Sequence, residues 1–349
     1  MDLYRHKNSE KYLFLFTISF IFSVFAIRIF LELTGYFKLG GGVIHIAHVL
    51  WGGIAMLFAG IAILVYQGDK VLSWGAVILG IGFGFFIDEV GKFITEDNNY
   101  FFAPAAAIIY TFMVLSFMFS YYFIRRKRSI KVNEELIFVL EELKDLVSGS
   151  FHINQQKEIT ERLEFLKQQS TDSEVKSLSV SISKLIDSGE FVIKNPPRLT
   201  IDSFFFKVEK TIQDFILKRK IAEILIPIYL LVRATTSLVS IIILNYSYFV
   251  RNETIGTELS PIYFGTGQWL LVFYTLLIFA YVLILYYSFY LLRYNPKKGL
   301  KTARTAQIFS ILLLNVFAFY FEQFSAAIEV MVDIMSIYLL NIIIKKRGV

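Results

Sequence analysis

Two apolar stretches of the sequence carry ionisable residues whose types suit metal binding or proton exchange. The first stretch begins with His45 and His48, and the second ends with Asp88 and Glu89. Ionisable side chains within membrane spans are energetically costly and usually have a function. Imidazole and carboxylate groups are ligands for Zn²⁺, Fe²⁺ or Mn²⁺, and the same groups can exchange protons. We therefore take these four residues as the primary candidate site.

Three hypotheses for this site follow from the residue types. In the first, the cluster belongs to a transporter or sensor of a small solute or cation, with proton exchange at His and carboxylate groups. In the second, a bound divalent metal activates water in a membrane-embedded enzyme that acts on a lipid or another amphipathic substrate. In the third, the cluster is structural or binds a partner: Asp88 pairs with Lys92, and Arg28 pairs with a carboxylate. The sequence favours transport or sensing and leaves all three open.

The composition predicts an all-α integral membrane protein in contact with the lipid bilayer. Of the 349 residues 56% are hydrophobic, whereas soluble domains have about 45–50%. Uncharged runs recur, each close to the roughly 20 residues that a helix needs to cross a bilayer. The chain has no cysteine, which excludes disulfides and thiolate chemistry. The net charge of +6 is typical of a membrane protein with basic loops, so we expect no nucleic-acid partner.

The apolar runs predict eight transmembrane helices. They occupy residues 12–34, 43–66, 71–93, 103–124, 221–248, 267–293, 305–323 and 325–344. Residues 305–344 could instead form one long helix, but polar residues at its centre indicate a tight turn. Five basic clusters, at 5–11, 125–128, 218–220, 293–304 and 345–347, fall on one side if there are eight crossings. Because basic loops stay in the cytoplasm, we expect both termini of a multi-pass cell-membrane protein to be cytoplasmic.

The charge pattern divides the chain into three parts. Residues 1–124 and 221–349 form two membrane halves of four helices each. Residues 125–220 are rich in Glu, Lys, Ser and Gln, and their apolar residues recur at helical spacing. This pattern predicts a small helical cytoplasmic domain, with a last amphipathic helix near 201–218. Such a domain could bind a cytoplasmic protein partner, which the sequence does not identify.

The two halves show a weak similarity that indicates an internal repeat. Arg28 in the first span corresponds to Arg233 in the fifth, and FFIDEV at 85–90 corresponds to FYFEQF at 319–324. Four spans per half predict a parallel 4+4 repeat, one of the arrangements found in transporters. The second half lacks the His pair, so the site is expected to be asymmetric.

Most other ionisable residues of the spans fall at one predicted depth. With cytoplasmic termini, they lie near the outer ends of their spans, and one residue lies nearer the middle of its span. The outer residues are Arg28, Glu32, Lys92, Glu322, Glu329 and Asp333, and the middle one is Arg233. Their shared depth predicts a polar region in the outer leaflet, within reach of a solute, a cation or a lipid headgroup.

Small residues predict how the second and third spans pack. His48 and Gly52 share one helical face, and Gly80, Gly84 and Asp88 form an i,i+4 ridge. Small residues let membrane helices approach closely, so we expect these two faces to meet and to bring His48 opposite Asp88. The next residue in the chain projects about 100° away, which predicts that the two carboxylates do not share a partner.

The sequence FFIDEVGKFITEDNNYF resembles part of a known group of proteins. Residues 41–102 look like those of uncharacterised polytopic bacterial membrane proteins, in which a His-bearing span precedes a Gly-rich span that ends in Asp-Glu-x-Gly-Lys. The resemblance implies a polytopic membrane fold and implies no activity. The chain lacks HExxH, GxSxG, Walker and Rossmann patterns, so no motif adds one.

Overall fold

The computed structural model describes residues 6, 8–35, 47–100, 102–125, 132–147, 153–188, 221–249 and 264–346. Every element of regular secondary structure in these ranges is helical, as the composition predicts. His45 and the amphipathic helix predicted near 201–218 lie outside the described residues.

The helices of the N-terminal part agree closely with the predicted spans, apart from the third. They are α1 (Ser9–Leu33), α2 (His48–Val65), α3 (Asp69–Asp88), the short α4 (Val90–Ile94) and α5 (Ala103–Arg125). The predicted third span, 71–93, is interrupted at Glu89, where the backbone leaves the α-helical region (φ −90°, ψ 8°). The interruption separates α3 from α4.

The remaining helices complete the chain. They are α6 (Val132–Val147), α7 (Ile153–Gln169), α8 (Ser173–Asp187), α9 (Ile221–Phe249), α10 (Phe264–Tyr294), α11 (Pro296–Phe309), α12 (Asn315–Glu322) and α13 (Ala327–Lys346). A π-helical turn, Ser310–Leu314, joins α11 to α12, and a 3₁₀ turn, Gln323–Ala326, joins α12 to α13. The chain forms two compact units: Met1–Ser9 with Ile124–Lys210, and Glu10–Phe123 with Thr211–Val349.

Among the described residues, seven helical segments have the length and composition to cross a membrane, which supports a multi-pass membrane protein. They are Ser9–Leu33, His48–Val65, Asp69–Asp88, Pro104–Phe123, Leu225–Ile243, Trp269–Tyr294 and Pro296–Ile344. The sequence predicts eight spans, and the difference arises at the end of the chain. The predicted spans 305–323 and 325–344 fall within one continuous helical segment.

That last segment folds back on itself at Gln323, whose φ is 53°. Arg304 Nη1 donates a hydrogen bond to Asn341 Oδ1 at 3.1 Å, and Ser310 Oγ donates one to Asp333 Oδ2 at 2.7 Å. These contacts join residues before the turn to residues after it. The segment therefore consists of two antiparallel legs.

Small residues determine how α3 packs, but in a different arrangement from the predicted one. The ridge of Gly80 and Gly84 faces α1: a Cβ atom on Gly84 would lie 1.8 Å from Ser23 Oγ. The contact with α2 uses another face, where a Cβ atom on Gly52 would lie 2.6 Å from the carbonyl oxygen of Gly82. Because its glycines lie on two faces, α3 admits one close neighbour on each.

The unit that contains α6, α7 and α8 has its own apolar core. Helices α6 and α7 form where the apolar residues of the sequence recur at helical spacing. Val139, Ile159 and Leu163 are among the buried side chains. Arg162 donates hydrogen bonds to Glu135 and, at 2.8 Å, to Glu158. Burial alone would lower the pKa of Arg162, but the hydrogen bonds and charges of these two carboxylates outweigh it and raise that pKa.

Candidate functional site

Asp88 is the centre of a buried polar cluster at the C-terminal end of α3. Its side chain is fully buried, which is unusual for a carboxylate without partners. Arg28 Nε, from α1, donates to Oδ1, and Tyr100 Oη donates to Oδ2 at 2.6 Å. His48 Nε2, from the first turn of α2, lies 3.0 Å from the same Oδ2 atom. Three separate parts of the chain thus contact one carboxylate, which offsets the free-energy cost of burying it.

His48 contacts a buried carboxylate through each of its two ring nitrogens. Nε2 faces Asp88, and Nδ1 lies 2.8 Å from Glu89 Oε1. Ionised carboxylates only accept hydrogen bonds, so both contacts are satisfied together when the imidazole is doubly protonated. The predicted separation of the two carboxylates is therefore wrong. The chain leaves the helix at Glu89, and the imidazole offers a nitrogen on each edge.

Glu89 also binds the beginning of α2. Its Oε1 atom accepts the backbone N–H of His48 at 3.0 Å, so it satisfies a donor that the first turn of a helix leaves free. A carboxylate at this position is also stabilised by the helix dipole. Lys92 Nζ lies 3.3 Å from Glu89 Oε2. The structural hypothesis paired this lysine with Asp88 instead, and the break in the helix explains the change of partner.

Aromatic rings enclose the guanidinium of Arg28. Its Cζ atom lies 4.2 Å from the ring centroid of Tyr100 and 4.4 Å from that of Phe324, distances at which cation–π attraction is effective. Nη2 donates to the main-chain oxygen of Asp88 at 3.1 Å, where it caps the end of α3. The arginine therefore holds both the side chain and the backbone at this position.

Tyr100, which was not among the predicted site residues, reaches the cluster from the loop after α4. Asn98 has a φ of 54°, and the backbone N–H of Asn99 donates to Thr95 Oγ1 at 2.7 Å, so the loop turns back towards α3. A Cβ atom on Gly91 would lie 2.8 Å from the carbonyl oxygen of Asn99, so only glycine admits the loop so closely. A glycine in α4 and an asparagine-rich loop are the sequence features that could have indicated this contact.

The structure separates the remaining predicted residues from this cluster. Glu32 is exposed at the end of α1, and Glu322 is exposed at the end of α12. Arg233 instead pairs with Glu329 and Asp333, each at 3.3 Å, in a second cluster. The predicted repeat stays a prediction: Arg28 pairs with a carboxylate of α3, whereas Arg233 pairs with carboxylates of α13.

The contacts that the candidate metal ligands make within the described residues weigh against the metal hypothesis. Among the residues that the structure describes, no group of three or more His, Asp or Glu side chains is arranged to hold a metal ion. Both ring nitrogens of His48 face carboxylates, and a protonated imidazole has no lone pair to give to a metal. His45 lies outside the described residues, so the predicted four-ligand set stays a prediction.

No family model, curated protein or solved structure matches this chain.

Proposed function

We propose that the protein is a membrane transporter or sensor of a small solute or cation, and that its conformation depends on the protonation of His48. The observation that supports this most directly is the position of the imidazole between two buried carboxylates, at 2.8 and 3.0 Å. Histidine is the side chain whose charge changes near physiological pH. Loss of one proton would remove a donor from one of the two carboxylates and leave a ring-nitrogen lone pair facing it.

The connection to a conformational change is supported by the place of His48 in the fold. It is the first residue of α2, and its backbone N–H and its ring both contact Glu89. Deprotonation would place a ring-nitrogen lone pair against a buried carboxylate oxygen, a repulsive contact that favours rearrangement of the helices. The least costly response is a displacement of the α2 N-terminus relative to α3. Such a displacement opens or closes access to the cluster.

The formal charges of the cluster set protonation of His48 against the binding of a cation. Arg28, Lys92 and a neutral His48 balance the charges of Asp88 and Glu89, and protonation of the histidine adds one positive charge in a buried site. A cation that enters would compete with that proton for the two carboxylates. Competition of this kind would couple the binding of a cation to the release of a proton.

We extend the proposal to eight crossings, with the last segment crossing twice as its two antiparallel legs. The fold-back at Gln323 supports this count, as does the agreement of five basic clusters on one side. Both termini and the α6–α8 unit are then cytoplasmic, and Asp88 is near the outer surface. The α6–α8 unit is free in this arrangement to bind a cytoplasmic protein.

The proposal is tested by the currents that a pH step produces. Proteoliposomes on a solid-supported membrane are exposed to rapid pH changes, and transient charge movement is recorded for the wild type, His48→Gln and Asp88→Asn. We expect a wild-type current that both variants lose. Asn245→Leu is the control, because Asn245 makes its hydrogen bonds within α9 and to Thr275, away from the cluster. Equal currents in all four proteins would contradict the proposal and favour the structural hypothesis.

A metal-dependent enzyme is the competing proposal, favoured by the convergence of one imidazole and two carboxylates. Together with His45 they would supply nitrogen and oxygen ligands for Zn²⁺, Fe²⁺ or Mn²⁺. The metal content of protein purified without chelators decides between the two proposals. About one equivalent of metal that is lost in a His45→Ala/His48→Ala variant would favour the enzyme. Because both nitrogens of His48 are engaged with carboxylates, we expect no stoichiometric metal.

A further inference from the structure

A second buried polar cluster lies between α9, the π-helical turn and α13. Its centre is Asp333, which is fully buried. Oδ2 accepts hydrogen bonds from Ser310 Oγ at 2.7 Å and from Asn315 Nδ2 at 3.1 Å. Oδ1 faces Arg233 Nη2 at 3.3 Å, and that nitrogen is also 3.3 Å from Glu329 Oε2. The first cluster and its proposed role do not involve any of these residues.

The π-helical turn is what brings two polar side chains to the same carboxylate oxygen. Ser310 and Asn315 are five residues apart, which in a regular α-helix places them about 140° apart around the axis. In the turn, the backbone N–H of Asn315 donates to the carbonyl of Ser310, and this wider spacing aligns the two residues. Single π-turns inside α-helices occur frequently at functional sites. Tyr110 Oη donates to the carbonyl of Ile311 at 2.8 Å and stabilises the irregular backbone.

Two amides of this cluster are buried with one polar atom unsatisfied. Asn315 gives its Nδ2 to Asp333, while its Oδ1 atom has no hydrogen-bond partner within the described part of the chain. Gln307 Oε1 accepts hydrogen bonds from Tyr229 and Tyr281. Its Nε2 atom has no hydrogen-bond partner among the described residues. An unsatisfied buried polar atom is energetically costly, so native proteins rarely keep one without a ligand or water.

The charge of the cluster indicates what such a ligand would be. One guanidinium faces two carboxylates, so the formal charge is −1 before any ligand binds. Both contacts of Arg233, at 3.3 Å, are longer than the 2.7–2.9 Å that is usual for a charge-assisted hydrogen bond. The arginine is therefore shared loosely between the two carboxylates, and it can remain with Glu329 when Asp333 takes another partner.

We propose that this cluster is a binding site for a small hard monovalent cation such as Na⁺. Its ligands would be the carboxylate of Asp333, the free Oδ1 of Asn315 and the hydroxyl of Ser310. All are oxygen atoms, the ligands that hard cations prefer. The cation brings the formal charge to zero and satisfies the buried carbonyl oxygen of the asparagine.

The test is the thermal stability of the purified full-length protein in detergent, in sodium, potassium or choline chloride at the same ionic strength. A ligand that binds only the folded state raises the melting temperature. We expect the melting temperature in NaCl to be about 3 °C higher than in choline chloride. For a protein of this size, each kcal/mol of stabilisation raises the melting temperature by a few degrees or less. Comparison of the melting temperatures in sodium and potassium chloride shows whether the site prefers the smaller cation.

Paired variants identify the residues that are responsible. Asp333→Asn should abolish the sodium-dependent shift, whereas the same substitution at the first cluster, Asp88→Asn, should keep it. Ser310→Ala should reduce the shift, whereas Ser288→Ala should keep it. Ser288 is also a buried serine of this half, but it donates to the carbonyl of Gly299.

Direct binding of radioactive sodium keeps the proposal testable if Asp333→Asn does not fold. We then expect saturable binding to the wild type and to Ser288→Ala, and weaker binding to Ser310→Ala. Equal melting temperatures in sodium and choline chloride would overturn the proposal. A sodium shift that disappears in Asp88→Asn but persists in Asp333→Asn would also overturn it, because the ion would then belong to the first cluster. Neither result depends on whether the pH-step currents are observed.

Discussion

His48 and Asp88 meet at 3.0 Å across the contact between α2 and α3, with the histidine at the first residue of one helix and the aspartate at the last residue of the other. The two helix ends are thus held together by a polar contact. Helix termini leave backbone groups unsatisfied, and here both termini use side chains of the same cluster.

Asp88→Asn should destabilise the folded protein by roughly 3–5 kcal/mol, because it leaves the buried Arg28 without its charged partner. The measurement is the free energy of unfolding in detergent micelles. Asp69→Asn is the matched control, since Asp69 pairs with Lys11 at an exposed site and such pairs contribute at most about 1 kcal/mol. Similar losses in both variants would contradict the central position of Asp88. Both proteins should still insert, because insertion depends on the apolar helices.

Gly52→Ala should disturb the contact between α2 and α3, whereas Gly53→Ala should not. A Cβ atom on Gly52 would lie 2.6 Å from the carbonyl oxygen of Gly82, while one on Gly53 has no neighbour within 4 Å. Overpacking of this kind costs typically about 1–3 kcal/mol. Melting temperatures of the two neighbouring variants provide the comparison. If Gly53→Ala were the more damaging change, the helix pairing would be incorrect.

Tyr100→Phe should weaken the cluster by about 1.5–3 kcal/mol, the usual contribution of a hydrogen bond to a charged group. The substitution removes the hydroxyl that lies 2.6 Å from Asp88 Oδ2 and keeps the ring beside Arg28. Tyr66→Phe, at an exposed tyrosine that follows α2, should leave stability unchanged. Chemical unfolding of both variants checks the difference. A silent Tyr100→Phe would show that the loop does not reach the carboxylate.

Arg162→Ala should loosen the α6–α8 unit, because it leaves the buried Glu135 without a partner. We expect a loss of about 1–3 kcal/mol, read as faster hydrogen exchange in α6 and α7 of the full-length protein. The raised pKa of Arg162 means that its contribution is lost only when pH rises through that pKa, well above neutrality. The effect should therefore be the same from about pH 6 to about pH 9. Lys176→Ala, at an exposed lysine of α8, should leave exchange unchanged.

The class of the protein could be predicted from its sequence because membrane solvation is a local property of the chain. A run of about 20 apolar residues must be helical in a bilayer, whatever surrounds it, since its backbone groups can bond only to one another. The described helices accordingly lie close to the predicted spans. The same reasoning identified His48 and Asp88, because a charge within such a run stands out without knowledge of its partner.

The composition of each cluster could not be predicted in the same way. Glu89 contacts the same imidazole as its neighbour because the helix ends one residue earlier, and Tyr100 arrives through a loop with a left-handed residue. Arg233 and Asp333 form a separate cluster, in which a π-helical turn aligns two more polar residues with that aspartate. These outcomes depend on local departures from helix geometry, whereas sequence periodicity assumes an ideal helix.

By itself, the sequence determined that the chain forms apolar helices and which residues would be charged inside them. Only the tertiary structure decided which of those charges meet. The free energy of burying apolar side chains adds up along each segment and does not depend on a particular neighbouring residue. It therefore follows from the amino-acid sequence alone. An ion pair at 3 Å depends on the direction and distance of two side chains from different helices, and these are set by the close approach of small residues such as Gly52 and Gly84.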